Sequence, residues 1–139
     1  MERYTAIFSQ LSLLGIVLSA LAIIVVGSLW YSTRLFGKSW MRHTGIRSTD
    51  ISLSEARRGY FFGTLVALVQ ASLIALIVDH AGEKWQMFAV GIVVLWLFIL
   101  LEQFNRFIWE RASFALVLIH AFRALATLMA AAFTYHFVS

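Results

Sequence analysis

Apolar residues run along this chain in long blocks, without the strict alternation of a half-buried strand. No charged residue interrupts the block at about 11–30, and none interrupts the block at about 59–78. A third block, about 86–104, meets Glu102 near its end, and the segment up to Phe107 can lengthen it. A fourth, about 112–135, carries His120 and Arg123 in its interior. Roughly 20 apolar residues in a helix cross about 30 Å of hydrocarbon, so each block is long enough to span a bilayer. With no water there to satisfy N–H and C=O groups, helix is the conformation expected of each. The alternation of a transmembrane β-barrel is absent. The predicted fold is therefore all-α: a single integral membrane domain over 1–139, a four-helix transmembrane bundle.

Composition agrees. Of the residues 61% are hydrophobic and 13% charged, and mean hydropathy is +0.85. Soluble domains run near 45–50% apolar and about 25% charged. The chain has no cysteine, which excludes cysteine-based metal and redox chemistry. The small residues Ser19-Ala20-Leu21-Ala22 are followed by Ile23-Ile24-Val25-Val26 with no polar break, so an uncleaved first span is expected.

Charge gives an orientation. Loop 31–58 holds Arg34, Lys38, Arg42, Arg47, Arg57 and Arg58, and the third loop adds Arg106 and Arg111. The opposite side holds Arg3 and Lys84. The excess predicts basic loops in the cytoplasm, both termini outside, and a setting in the cytoplasmic (inner) membrane. Anionic headgroups at that face are the expected lipid partner, each nearby basic residue contributing about 1 kcal/mol of attraction. Without a soluble domain, nucleic acid is not expected as a partner.

Where the first span ends, Trp30, Tyr31, Lys38, Trp40 and Arg42 mix aromatic rings with cations. That is the composition of a headgroup-level anchor, and equally of an interfacial or lipid-binding site. The register Gly27-x-x-Trp30-Tyr31-Ser32, then Phe36-Gly37-Lys38-x-Trp40, closely resembles the signature of the uncharacterised bacterial domain-of-unknown-function family numbered 1761. The resemblance continues more weakly through the remaining spans. It implies a small protein of about four spans and no agreed activity. Thr33 stands where that family usually has proline, which implies a looser turn. Further on, Ser52-Leu53-Ser54-Glu55 fits a capping box that starts the second long helix ahead of its apolar block.

Two stripes lie within the spans. Gly59, Gly63, Ala67, Ala71 and Ala75 recur every four residues, the pattern of a close helix-packing face within one chain or between copies. The third span, with Trp96 and Phe98, is bulkier and expected to face lipid. On the fourth, Ser113, His120, Thr127 and Thr134 recur every seven residues, and Arg123 joins them one turn after His120. An arginine at mid-membrane costs about 2.5–3.5 kcal/mol on insertion scales. Gln70 matches it in depth, but no Asp or Glu lies deep inside a span. A guanidinium suits carboxylate or phosphate through its fork of donors.

No phosphate-binding loop, dinucleotide fingerprint or zinc-binding His-Glu pair is present, and no cofactor or metal is expected. Three functions suit this reading. One is an oligomeric channel or transporter for a small or anionic solute, with Arg123, His120, Thr127 and Gln70 along its path. Another is a non-catalytic helper or structural subunit bound to another membrane protein. The third is a lipid-acting enzyme, ranked last because no catalytic pair is visible. The first is preferred, since an unpartnered central arginine is expensive to keep for packing alone. A homo-oligomer with closed symmetry is expected, because so small a bundle encloses little interior by itself.

Overall fold

Serine hydroxyls, rather than the edges of the apolar blocks, fix where three of the four long helices begin. Ser12 Oγ accepts the Gly15 N–H at 3.0 Å, and Ser113 Oγ accepts the Leu116 N–H at 3.3 Å. Ser52 Oγ accepts the Glu55 N–H at 3.3 Å while Glu55 Oε2 accepts the Ser52 N–H at 2.8 Å, the reciprocal pair of a capping box. The computed structural model describes residues 11–82 and 84–139. Among them lie α1 (Leu13–Trp30), α2 (Gly37–Thr44), a 3-10 turn (Ser48–Asp50), α3 (Leu53–Ala81), α4 (Trp85–Trp109) and α5 (Phe114–Val138). No strand occurs among the described residues.

Four of these helices are long and apolar enough to cross a membrane, and the all-α bundle is the expected one. The helices outrun the apolar blocks. α3 starts at Leu53 rather than near 59, and α4 extends to Trp109 rather than stopping near 104. A helix satisfies its own backbone wherever it runs, so charged residues such as Arg57, Arg58 and Arg106 extend it past the apolar limit without breaking it. Gly45 and Gly82, both at positive φ (73° and 55°), close α2 and α3. That region is open to glycine at little steric cost.

The last helix is the hub. α5 packs against all three other long helices, and its most extensive contact is with α1. These two run antiparallel, Ser12 lying against Tyr135 at one end and Tyr31 against His120 at the other. Small residues are buried on both helices, Ser19 and Ala20 on α1 and Ala121, Ala124, Ala131 and Ala132 on α5. Ser19 Oγ donates to the Ala131 carbonyl at 2.9 Å across the seam. In hydrocarbon, where apolar surface gains nothing by leaving lipid, such close approach and interhelical hydrogen bonds carry association. On α3 the small-residue stripe divides. Ala67, Ala71 and Ala75 are buried, whereas a side chain added at Gly59 or Gly63 would meet nothing. α4 is the most outward helix, with Phe88 and Ile92 as its buried residues.

Candidate functional site

The segment after α1 folds back on itself and plants two aromatic residues on α5. The Phe36 N–H reaches the Trp30 carbonyl and the Gly37 N–H reaches the Ser32 carbonyl, each at 3.0 Å. A Cβ at Gly37 would be driven into the carbonyl oxygens of Tyr31 and Ser32, so this reversal requires glycine. The Trp30 ring lies on Phe36, centroids 4.6 Å apart, and its Nε1 donates to the Ile119 carbonyl at 3.1 Å. Beside it the Tyr31 hydroxyl and His120 Nδ1 share a hydrogen bond of 2.7 Å. Trp40, from α2, meets the Tyr31 ring edge-on at 5.7 Å. Burial holds the Tyr31 phenol above its usual pKa, with the Arg123 and Arg106 guanidiniums pulling the other way.

Arg123 sits one turn beyond His120, about 14 Å along the axis from the start of α5 by the helical rise. Its guanidinium carbon lies 5.8 Å from the Tyr31 ring centroid, within cation–π range. The Nε–H is buried and has no hydrogen-bond partner. Among the described residues the ion pair is Arg106–Glu110, at 2.9 Å, and Arg123 takes no part in one. Thus the ring face is the attraction that the structure gives this cation, and the residue borders empty volume on its other flank.

That space has a shape. Near the basic loops a cavity of about 490 Å³ lies between α1 and α3, lined by Ser28, Tyr31, Tyr60, Gly63, Gln70 and Arg123 among others. Next comes a cavity of about 550 Å³, which shares Ile23, Gln70 and Arg123 with the first and is otherwise mostly apolar, with Leu73, Leu95 and Ile99. A third, about 580 Å³, shares Leu76 and Ile77 with the second and reaches Asp79 and His80 at the opposite end. Each falls within the range of roughly 300–1,000 Å³ usual for small-molecule sites. The three follow one another along α3, with Arg123 and Gln70 at the first junction.

The residues anticipated from sequence fall into three groups. Arg123, Gln70 and Thr127 line the middle cavity. The Thr127 hydroxyl, however, donates back to the Arg123 and Ala124 carbonyls at 3.0 and 2.9 Å. His120 stands behind Tyr31, bonded to it, and does not line these cavities. Of the interfacial set, Trp30, Tyr31 and Trp40 are half-buried, while Lys38 and Arg42 are exposed on α2. In the helix-packing set, Ala67 and Ala71 are buried, and Gly63 and Gly59 line the cavity nearest the basic loops. Ser113 caps α5, and the Thr134 hydroxyl returns to the Ala130 carbonyl at 2.7 Å.

Sequence reasoning missed three things. One is the Tyr31–His120 bond between residues 89 apart in the chain, which no local pattern encodes. Another is the apolar lining from α3 and α4, indistinguishable in sequence from lipid-facing residues. The third is the lock at the opposite end. There the fully buried Tyr135 accepts the Ser12 N–H at 3.1 Å and donates to Asp79 Oδ2 at 3.0 Å.

No curated protein and no solved structure matches this chain. A family model described as "Protein of unknown function (DUF1761)" matches residues 14–135.

Proposed function

The chain belongs to the DUF1761 family, and from that premise, a membrane fold with no activity attached, we propose that it binds an anion at Arg123 and passes it along α3. One observation carries the reading: Arg123, whose buried Nε–H has no partner, lines both of two adjoining cavities. An uncompensated charge at such depth is costly, and intramembrane ionisable residues mark substrate paths more often than packing faces. The fork of donors suits carboxylate or phosphate oxygen. Gln70 adds an amide at the same junction. The third cavity extends the path toward Asp79 and His80. The excess of lysine and arginine at one end supports a cytoplasmic-membrane setting with that end inside and both termini outside.

Binding tests this directly. The purified protein is titrated with phosphate, succinate, laurate and lysophosphatidylglycerol, and the fluorescence of its tryptophans is followed. Wild type is expected to saturate with at least one of these anions, and Arg123→Gln to lose that saturation. Equal binding by the variant, or none by wild type, would end the reading.

A helper role has its own support in the open edge of α3, where Gly59 and Gly63 leave room for a neighbouring helix. Native mass spectrometry of gently extracted protein separates the two. Copies of this chain alone fit a self-contained path, and a stoichiometric foreign protein fits the helper.

A further inference from the structure

The cavities along α3 open sideways. Leu73 and Val66, which line them, are 57% and 55% exposed, and Gln70 is exposed as well. In a bilayer that open side meets hydrocarbon. A small hydrated anion at Arg123 would therefore have acyl chains, not water, on one flank, where an uncompensated charge is expensive. A molecule that brings its own apolar part has no such difficulty. Building on the anion path proposed above, we infer that the ligand is an anionic amphiphile, a lipid or fatty acid, whose head pairs with Arg123 while its chain lies against Leu73, Leu95 and Ile99.

Three further features fit this ligand. The middle cavity is poor in polar groups. Apart from Arg123 it offers Gln70 and Thr127, and the Thr127 hydroxyl is committed to its own helix. A hydrophilic solute would find one cation and one amide there, while a hydrocarbon chain would find a continuous apolar wall. Access from the basic end suits a headgroup. Gly59 and Gly63 remove side chains from the α3 side of the first cavity, and Ser28 and Tyr60 supply hydroxyls beside them. The basic residues Lys38 and Arg42 on α2, with those of the adjoining loops, enrich anionic lipids at that surface. At the far end the third cavity presents Asp79, whose carboxylate repels an anion and so favours release over retention. The binding point and the release point are thus chemically unlike.

Exchange across vesicles decides it. Protein is reconstituted in phosphatidylcholine vesicles with a trace of phosphatidylglycerol labelled on its acyl chain by a dithionite-quenchable fluorophore. Matched vesicles carry labelled phosphatidylcholine, and a third set is loaded with radiolabelled phosphate or succinate. Wild type is expected to speed transbilayer exchange of the phosphatidylglycerol at least about tenfold over the phosphatidylcholine, roughly what one hydrogen bond to a charged group is worth. Arg123→Gln should abolish the difference and Arg123→Lys should retain part of it. Gln70→Leu, at an exposed residue whose loss leaves the packing untouched, should lower it several-fold, so the result does not depend on one variant folding. Phosphate or succinate movement that requires Arg123, with no lipid exchange, would overturn the amphiphile and leave the anion path standing. Equal exchange of both lipids would overturn the selectivity for an anionic head. No Arg123-dependent movement of any probe would overturn both.

Discussion

The seam between α1 and α5 carries a tyrosine at each end, and the two are used in opposite ways. Tyr135 is wholly buried, and its ring fills the space that Gly15 leaves open, so that a Cβ there would come within 2.8 Å of it. Its hydroxyl is satisfied twice, by Ser12 and Asp79, which ties α1, α3 and α5 together. Tyr31 is half-buried; its hydroxyl has one partner, His120, and its ring face supports a cation whose donor is left over. One end is closed with its polar groups paired. The other holds an unspent charge beside empty volume. Saturated polar networks rigidify, and unsaturated ones in a cavity are where a ligand gains most, since it supplies the missing partner. The difference therefore separates fastening from proposed site along a single pair of helices.

The largest effect is expected at the fastening. Tyr135→Ala removes a fully buried ring and both of its hydrogen bonds. Large-to-small changes of this kind cost about 3–5 kcal/mol in soluble cores. In lipid the cavity and lost contacts remain though the transfer term shrinks, so a loss of about 3 kcal/mol is the expectation. Tyr135→Phe, which leaves the Ser12 N–H and Asp79 without their partner, should cost about 1–2 kcal/mol. Tyr31→Phe, at a half-buried hydroxyl with one partner, should cost less than Tyr135→Phe. Unfolding in graded denaturing detergent measures all three. Equal losses for the two phenylalanine variants would mean that both ends are fastenings, and the contrast would fall.

At the other end the sign reverses. Arg123→Leu deletes a charge that has a ring face for company and no ion pair among the described residues. Insertion scales put a central arginine at about +2.5–3.5 kcal/mol and leucine slightly below zero. Cation–π attraction of about 1–2 kcal/mol in a desolvated setting offsets part of this. The variant is thus expected to resist detergent unfolding by about 1–2 kcal/mol more than wild type, while losing anion binding. Residues that raise stability when removed and abolish binding at the same time belong to a site. A destabilised Arg123→Leu would instead identify the arginine as part of the packing.

How much of this was legible in the sequence follows from the range of each interaction. The spans, the capping box at Ser52 and the small-residue stripe on α3 rest on neighbours within one or two turns, and each can be read from local spacing. Arg123 and Gln70 were likewise legible as a pair matched in depth, because rise per residue converts position into depth. Which face each helix turns inward was not. Gly59 and Gly63 share a register with Ala67 and Ala71, yet a cavity separates them from α1, so a side chain added there would meet nothing. His120 shares a register with Thr127, yet Tyr31 captures it. Periodicity gives relative direction around one helix; only the neighbouring helices decide which direction is occupied.

Thr127 is the smallest and sharpest test of that last point. Its register on α5 put it on the same stripe as His120, and it does line the middle cavity. Its hydroxyl proton, however, is shared between the Arg123 and Ala124 carbonyls of its own helix. A hydroxyl bonded back in this way adds little to a helix and has no proton left for a ligand. Thr127→Val keeps the branched shape, so wall and volume stay nearly constant, and the freed carbonyls retain their ordinary helical hydrogen bonds. Stability should move by less than about 0.5 kcal/mol, within the range of changes that disturb neither packing nor a buried network. Binding of the anion that wild type saturates with should be unchanged, against its loss in Arg123→Gln. A drop in affinity comparable to that of Gln70→Leu would mean that the hydroxyl turns from its backbone partners to the ligand. The seven-residue stripe would then be a path in its own right, and the charge at Arg123 only one step along it.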